Sequence, residues 1–244
     1  MHALHEVLQR IDNAAARTGR PPPRLLAVAK TRPATAVAEL AAAMRHAQAL
    51  RQAQGGRVDN AAFGENYVHE ALAKQSELHD PALEWHLIGH LQSNKAADAA
   101  VAFDWVQTID RAKLVADLAR FRPVERPPLN VLIQVNIDDE TSKHGCRSDQ
   151  VTTLAAAIAA EPRLRLRGLM AIPAPSPDPQ HRRDAFRRMR LLFEALAVQH
   201  PQADTLSMGM SEDLELAIAE GATLVRVGTA LFGPRSERGQ SHLP

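Results

Sequence analysis

Short apolar runs alternate along this chain with longer, alanine-rich amphipathic stretches. The short runs cover 24–30, 60–65, 83–89, 105–109, 129–137, 166–172, 205–208 and 224–228, and their length and composition predict strands. Helical spacing between them predicts helices near 33–50, 66–79, 94–101, 111–120, 148–161, 180–199 and 211–220. A helix thus separates each successive pair of strands, which calls for a parallel sheet. Eight such repeats favour closure into a TIM (β/α)8 barrel. An open doubly wound sheet is the competing α/β arrangement. It usually carries a glycine-rich turn after its first strand, whereas here that strand runs into Lys30-Thr31-Arg32-Pro33.

Ahead of the first strand, Leu4, Val7, Leu8 and Ile11 recur at helical spacing with charges between them. This is an extra amphipathic helix rather than a signal peptide. Gly19 and Pro21-Pro22-Pro23 stop it. Ser211 ahead of Glu212-Asp213 is expected to cap the last long helix, which Gly221 closes. The proline-rich run 173–179 is read as a stiff loop above the barrel. One domain is expected over 1–233, with a polar, frayed tail over 234–244.

Composition narrows the function classes. The 244 residues suit one barrel, and 45% hydrophobic residues supply a core built mostly of aliphatic side chains, since only 4% are aromatic. Lys and Arg (29) nearly balance Asp and Glu (28), which argues against a broad nucleic-acid footprint. No segment reaches the ~18 apolar residues of a membrane span. The single cysteine, Cys146, excludes an intrachain disulfide and fits a reducing cytoplasm.

Barrels of this type gather their chemistry at the C-terminal strand ends. Lys30 ends the first strand, and if Leu26 and Val28 point inward, so does Lys30. It is then either a strand-end lysine reaching solvent or a partly desolvated amine able to form an imine. The last two strands bear on that choice, because phosphate sites often lie in the loops after strands seven and eight. Strand seven runs into Ser207-Met208-Gly209-Met210-Ser211 and strand eight into Gly228-Thr229. Both supply small residues, hydroxyls and backbone N–H groups, although turn chemistry and a helix cap would use the same residues. Arg226 shares a face with Gly228, and a cation inside a barrel needs a carboxylate or a ligand to meet it.

Other residues carry weaker signals. Asn66 could cap a helix or touch a ligand. His86 and His90, four apart on a strand, do not make a metal site. Gln134 and Asn136 could form an interior polar network. The loop containing Asp138-Asp139-Glu140 and Lys143-His144-Gly145 lacks EF-hand spacing and reads as solvated. No pattern marks Cys146 as a nucleophile.

These residues fall within the stretches AVAKTRP (27–33), FGENYVHEA (63–71), WHLIGHLQSNK (85–95), TIDR (108–111), VLIQVNIDDETSKHG (131–145), LRGLMAIPAP (166–175) and LSMGMSEDLELAIAEGATLVRVGTALFG (206–233). In these motifs, which span nearly the whole chain in order, the sequence resembles the pyridoxal phosphate homeostasis protein family, single-domain relatives of the alanine racemase N-terminal barrel. The resemblance implies that Lys30 holds pyridoxal 5′-phosphate (PLP) as a Schiff base. It implies that Ser207, Gly209 and Ser211 form one phosphate loop and Gly228 and Thr229 the second. It also places Arg226 at the pyridine nitrogen, Asn66 near the cofactor and Met170 near the ring. His90 stands where many bacterial members carry proline, a departure that leaves the cofactor motifs intact.

A cofactor-binding protein in PLP homeostasis is therefore expected, with no catalytic residue and no metal, and with PLP-dependent apo-enzymes as partners. Racemases with such an arginine use a second base, a tyrosine from a further β domain across a dimer. Here Tyr67 is the single tyrosine and lies elsewhere in the chain. A monomer is the matching expectation. A weak amino-acid racemase and a cofactor-free aldolase-type barrel using Lys30 are the alternatives.

Overall fold

The computed structural model describes residues 2–53, 60–140 and 143–233; the expected tail at 234–244 lies outside them. Eight parallel strands close into a barrel in sequence order. They are β1 (Arg24–Val28), β2 (Ala62–Glu65), β3 (Glu84–Leu87), β4 (Trp105–Ile109), β5 (Leu129–Gln134), β6 (Leu164–Met170), β7 (Thr205–Ser207) and β8 (Leu224–Val227). The ring of helices is α2 (Ala34–Ala53), α3 (Val68–Leu78), α4 (Ala96–Ala102), α5 (Ala112–Phe121), α6 (Val151–Ala159), α7 (Pro179–Gln199), α8 (Leu214–Ala219) and α9 (Thr229–Phe232). The predicted TIM barrel is thus the observed fold, and no helix among the described residues is long and apolar enough to cross a membrane.

The extra helix forms as expected. In α1 (His2–Thr18), Leu4, Val7, Ile11, Ala14 and Ala15 are buried, and the helix packs against α8 and α9. Arg10 on its outer side donates to both carboxylate oxygens of Glu215, at 2.7 and 2.9 Å, and to the Ser211 carbonyl at 2.9 Å. The N-terminal helix therefore holds the loop after β7 from behind.

Alternation along β1 separates two apolar layers. Ala27 and Ala29 belong to the main core between strands and helices. Leu26 instead meets Ala62, Leu224 and Ile88 inside the barrel, next to a second interior cluster of Trp105, Leu132 and Met170. Several strands end one to three residues before the sequence pattern does: β1 at Val28, β3 at Leu87, β5 at Gln134. The residues beyond have left the ladder to form the rim, and Thr31, just after Lys30, turns with φ 62°.

Two helix starts differ from the sequence expectation. Ser211 does not cap α8, which begins at Leu214 with Asp213 as the preceding residue. Asp213 Oδ1 accepts the Met210 N–H at 2.7 Å and its own N–H bonds the Met210 carbonyl, so 210–213 form a turn of their own. Asn66 likewise does not cap α3, whose preceding residue is Tyr67, and its side chain is left for the cavity.

β6 and β7 meet in a very close approach. Gly168 in β6 has φ 140°, and a Cβ there would lie 2.0 Å from the Thr205 carbonyl oxygen of β7. An alanine side chain fits neither the dihedral nor the space. Gly168→Ala is expected to lower unfolding free energy by more than about 3 kcal/mol, read from urea denaturation of both proteins.

Candidate functional site

Lys30, half-buried, stands at the C-terminal mouth of the barrel in a turn fixed from two sides. Lys74 of α3 donates from Nζ to the Ala29 carbonyl at 2.7 Å and to Glu65 Oε1 at 2.6 Å. Glu70 accepts the Thr31 N–H at 3.1 Å. Burial raises the Glu65 carboxyl to about 7 against the pull of Lys74. The lysine turn is thus anchored to α3 by charged side chains that the sequence pattern did not single out.

Two adjoining pockets open around Lys30, of about 330 and 580 Å³. They share Val28, Lys30, Lys143, Ile172, Met210 and Arg226. The smaller adds Asn66, Gln134, His90 and His144. The larger adds Ser211, Gly228, Thr229 and the proline-rich loop after β6. That loop is tied down where Asp138 Oδ2 accepts the Ala174 N–H at 2.7 Å and Asp138 Oδ1 meets Arg188 at 2.6 Å. These volumes fall in the range of roughly 300–1,000 Å³ usual for small-molecule sites.

Six of the nine expected site residues therefore line this cavity: Lys30, Asn66, Ser211, Arg226, Gly228 and Thr229. The other three support it from beneath. Met170 is fully buried against Trp105 and Leu132. Gly209, at φ 88°, packs so closely that a Cβ would lie 2.5 Å from that of Ala217 in α8, and its carbonyl accepts the Arg226 N–H. Ser207 is fully buried inside the barrel, where its hydroxyl accepts a 2.6 Å bond from Arg226 Nη1.

Arg226 is 3% exposed, and its Nη2 donates to the Ala171 carbonyl at 2.8 Å. Among the described residues its hydrogen-bond acceptors are thus neutral oxygens. Burial pulls the guanidinium down to about 10, which leaves it charged near neutral pH. Among the described residues no counter-charge touches this cation, and it lines the cavity where an acceptor could enter.

Below Arg226 runs a hydrogen-bonded column through the barrel. Arginine only donates, so Ser207 accepts from it and donates its own O–H to Gln107 Oε1 at 2.7 Å. The Gln107 amide nitrogen then faces His86 Nδ1 at 2.8 Å. His86 must accept there, so its other nitrogen donates to Glu84 Oε1 at 2.7 Å. Arg24 closes the column on the same oxygen at 2.8 Å. His86, stacked on Trp105 with centroids 5.1 Å apart, is held neutral chiefly by burial. Burial disfavours the Glu84 carboxylate, but His86 and Arg24 outweigh it and bring Glu84 down to about 2. Glu84 and Gln107 were legible only as polar residues at inward positions of otherwise apolar strands.

The weaker candidates separate. Gln134 lines the smaller pocket and donates to the His144 carbonyl at 3.1 Å. Asn136 instead staples its own loop, donating to the Glu140 carbonyl and accepting the Glu140 N–H. Gln134 and Asn136 thus form no shared network. Cys146 is buried and its thiol is pushed up to about 12 by desolvation, which leaves it unreactive.

The Glu84 carboxylate carries a pH signature. Its folded value lies near 2 against an ordinary 4.5, so it stabilises the fold above about pH 4.5 and loses that contribution as pH falls towards 2. Glu84→Gln is expected to flatten the stability-versus-pH curve in that window, measured by urea unfolding at successive pH values.

Comparison with known proteins matches this geometry. The model of the alanine racemase N-terminal domain matches residues 3–236. The pyridoxal phosphate homeostasis protein of Escherichia coli (strain K12) is 49% identical over 239 residues, covering 96% of both chains. That of Pseudomonas aeruginosa is 50% identical over 234 residues, covering 95% of this chain and 94% of the relative. Among solved structures, PipY of Synechococcus elongatus with PLP bound is 37% identical with a TM-score of 0.70, covering 93% of this chain and 100% of PipY. An alanine racemase of Clostridium difficile shares the fold at 12% identity and a TM-score of 0.71, and this chain covers 58% of it. By these matches over nearly its full length, the chain belongs to the pyridoxal phosphate homeostasis protein family, within the alanine racemase N-terminal domain group.

Proposed function

We propose that this protein binds PLP at Lys30 and serves in PLP homeostasis as a reversible holder of the cofactor rather than as an efficient enzyme. The observation that carries this reading is the buried, charged Arg226, without a carboxylate in contact among the described residues, at the floor of the cavity that holds Lys30. A heteroaromatic nitrogen that accepts, joined to an aldehyde and a phosphate, answers each part of that cavity. Lys30 supplies the amine for the aldehyde. Arg226 donates to the ring nitrogen. Ser211, Gly228 and Thr229 provide hydroxyl and backbone donors for the phosphate, and Lys143 and Arg182 outweigh the nearby Glu212 and Asp213 when counted with Lys30 and Arg226. Asn66 borders the ring space.

Bound PLP supplies an electron sink, which is strongest when an acid protonates the ring nitrogen. Arg226 does not provide that acid, because guanidinium keeps its proton. The tyrosine that serves such racemases as second base is also absent from the lining among the described residues. Tyr67 is 55% exposed with its ring beside His69, and it borders neither pocket. The chain's own residues thus bind, orient and shield the cofactor. Without that tyrosine, Lys30 lacks the partner base of an efficient racemase, which supports at most weak amino-acid racemisation. Relatives bearing the homeostasis name and PipY with PLP bound agree with this reading. A monomeric, cytoplasmic protein passing PLP to apo-enzymes is the form of that role we favour.

Purified protein mixed with PLP is expected to turn yellow. Borohydride should then fix one pyridoxyl phosphate group onto the peptide containing Lys30, read by mass spectrometry. Lys30→Ala should abolish both signals. Colourless protein that takes up no PLP, or label on another lysine alone, would overturn the assignment.

A further inference from the structure

Three donor groups that the cofactor reading does not use gather beside the smaller pocket, and two of them, His90 and His144, line it. His90 lies just beyond β3, Asp110 just beyond β4, and His144 in the loop after β5. One ligand atom from each lies within 4.8 Å of the others. The two imidazoles stack at 3.6 Å between centroids and 13° between planes. His90 Nδ1 stands 3.7 Å from Asp110 Oδ2, too far for a hydrogen bond. The three groups are therefore gathered without being bonded to one another.

The carboxylate is already aimed. Arg111 Nη1 holds Asp110 Oδ1 at 2.5 Å, and Arg111 is itself anchored by donating to the Leu91 carbonyl at 2.9 Å. Oδ2 is left directed at His90. An ion with bonds of roughly 2.0–2.2 Å needs its donors about 3–3.5 Å apart, so small tilts of the two rings complete the set.

We propose that His90, Asp110 and His144 bind a divalent transition-metal ion of the zinc class. Two imidazoles and one carboxylate favour such an ion over magnesium or calcium, which take oxygen donors. Three protein ligands leave a coordination position open. His90 and His144 line the same pocket as Lys30 and Arg226, so the ion would border the cavity. Arg111 acts as a positioning residue for the Asp110 ligand, in the manner of other groups that orient metal ligands. The site stands whether or not Lys30 carries a cofactor.

The test is titration of the full-length, tag-free chain with cobalt(II) as a visible reporter, followed by displacement with zinc. One cobalt per chain is expected, with a d–d band that zinc removes. His90→Ala, His144→Ala and Asp110→Ala should each weaken binding more than about 100-fold, and Arg111→Gln roughly tenfold. His2→Ala should leave affinity unchanged, which separates this site from the exposed His2–Glu6 pair of the N-terminal helix. Circular dichroism in metal-free buffer verifies that each variant is folded. X-ray absorption of the wild-type cobalt complex should show two imidazoles, a readout that needs no variant. Absence of saturable binding, a spectrum without imidazole ligands, or wild-type affinity in folded His90→Ala and His144→Ala would overturn the proposal.

Discussion

The burial of Arg226 inside the barrel is the constraint around which the rest of this site is arranged. A guanidinium removed from water costs far more than one residue's hydrophobic burial returns, unless each donor is met. Ser207 and the Ala171 carbonyl meet two of them. Ser207 is free to accept because its own O–H is donated to Gln107, and Gln107 is oriented to accept it because its amide N–H meets His86, whose proton sits on the nitrogen facing Glu84. The column is thus directional from rim to floor. It replaces part of the branched apolar packing that usually fills such barrels, and it fixes the guanidinium plane at the base of the cavity.

A second set of contacts fixes the rim. Lys74 and Glu70 hold the turn that presents Lys30, Arg10 holds the loop after β7, and Arg188 with Asp138 holds the proline-rich loop. Each clamp joins a charged side chain on a helix to backbone or carboxylate at the mouth. These clamps tie the helices to the loops at the mouth of the cavity. The extra N-terminal helix takes part in this work through Arg10. It is more than a cover for the outer core.

The neighbouring His90, Asp110 and His144 show how little separates two chemistries at one mouth. The proposed cofactor side is built from the ends of β1, β7 and β8, and the proposed metal side from the ends of β3, β4 and the loop after β5. Strands on opposite sides of a closed barrel bring their loops to the same opening. A cavity with an amine, a buried cation and a metal-ligating face can therefore arise without any insertion in the fold.

Sequence alone determined the element order, the barrel and the rim position of Lys30, because period-2 and helical patterns report burial directly. It also located the paired loops at Ser211 and at Gly228-Thr229, since both follow directly on the last two strands. It did not determine which polar residues meet. Glu84, His86, Gln107, Ser207 and Arg226 lie on four strands and up to 142 positions apart, and only barrel closure stacks them into one column. Helix starts near Asn66 and Ser211 likewise depended on tertiary partners. Asp213 turned back to the Met210 N–H, and Asn66 faced the cavity beside Gly89, where even a Cβ would strike its carbonyl at 2.1 Å. Local propensity sets where chain segments begin and end, but hydrogen-bond partners far apart in sequence are chosen by the closed sheet.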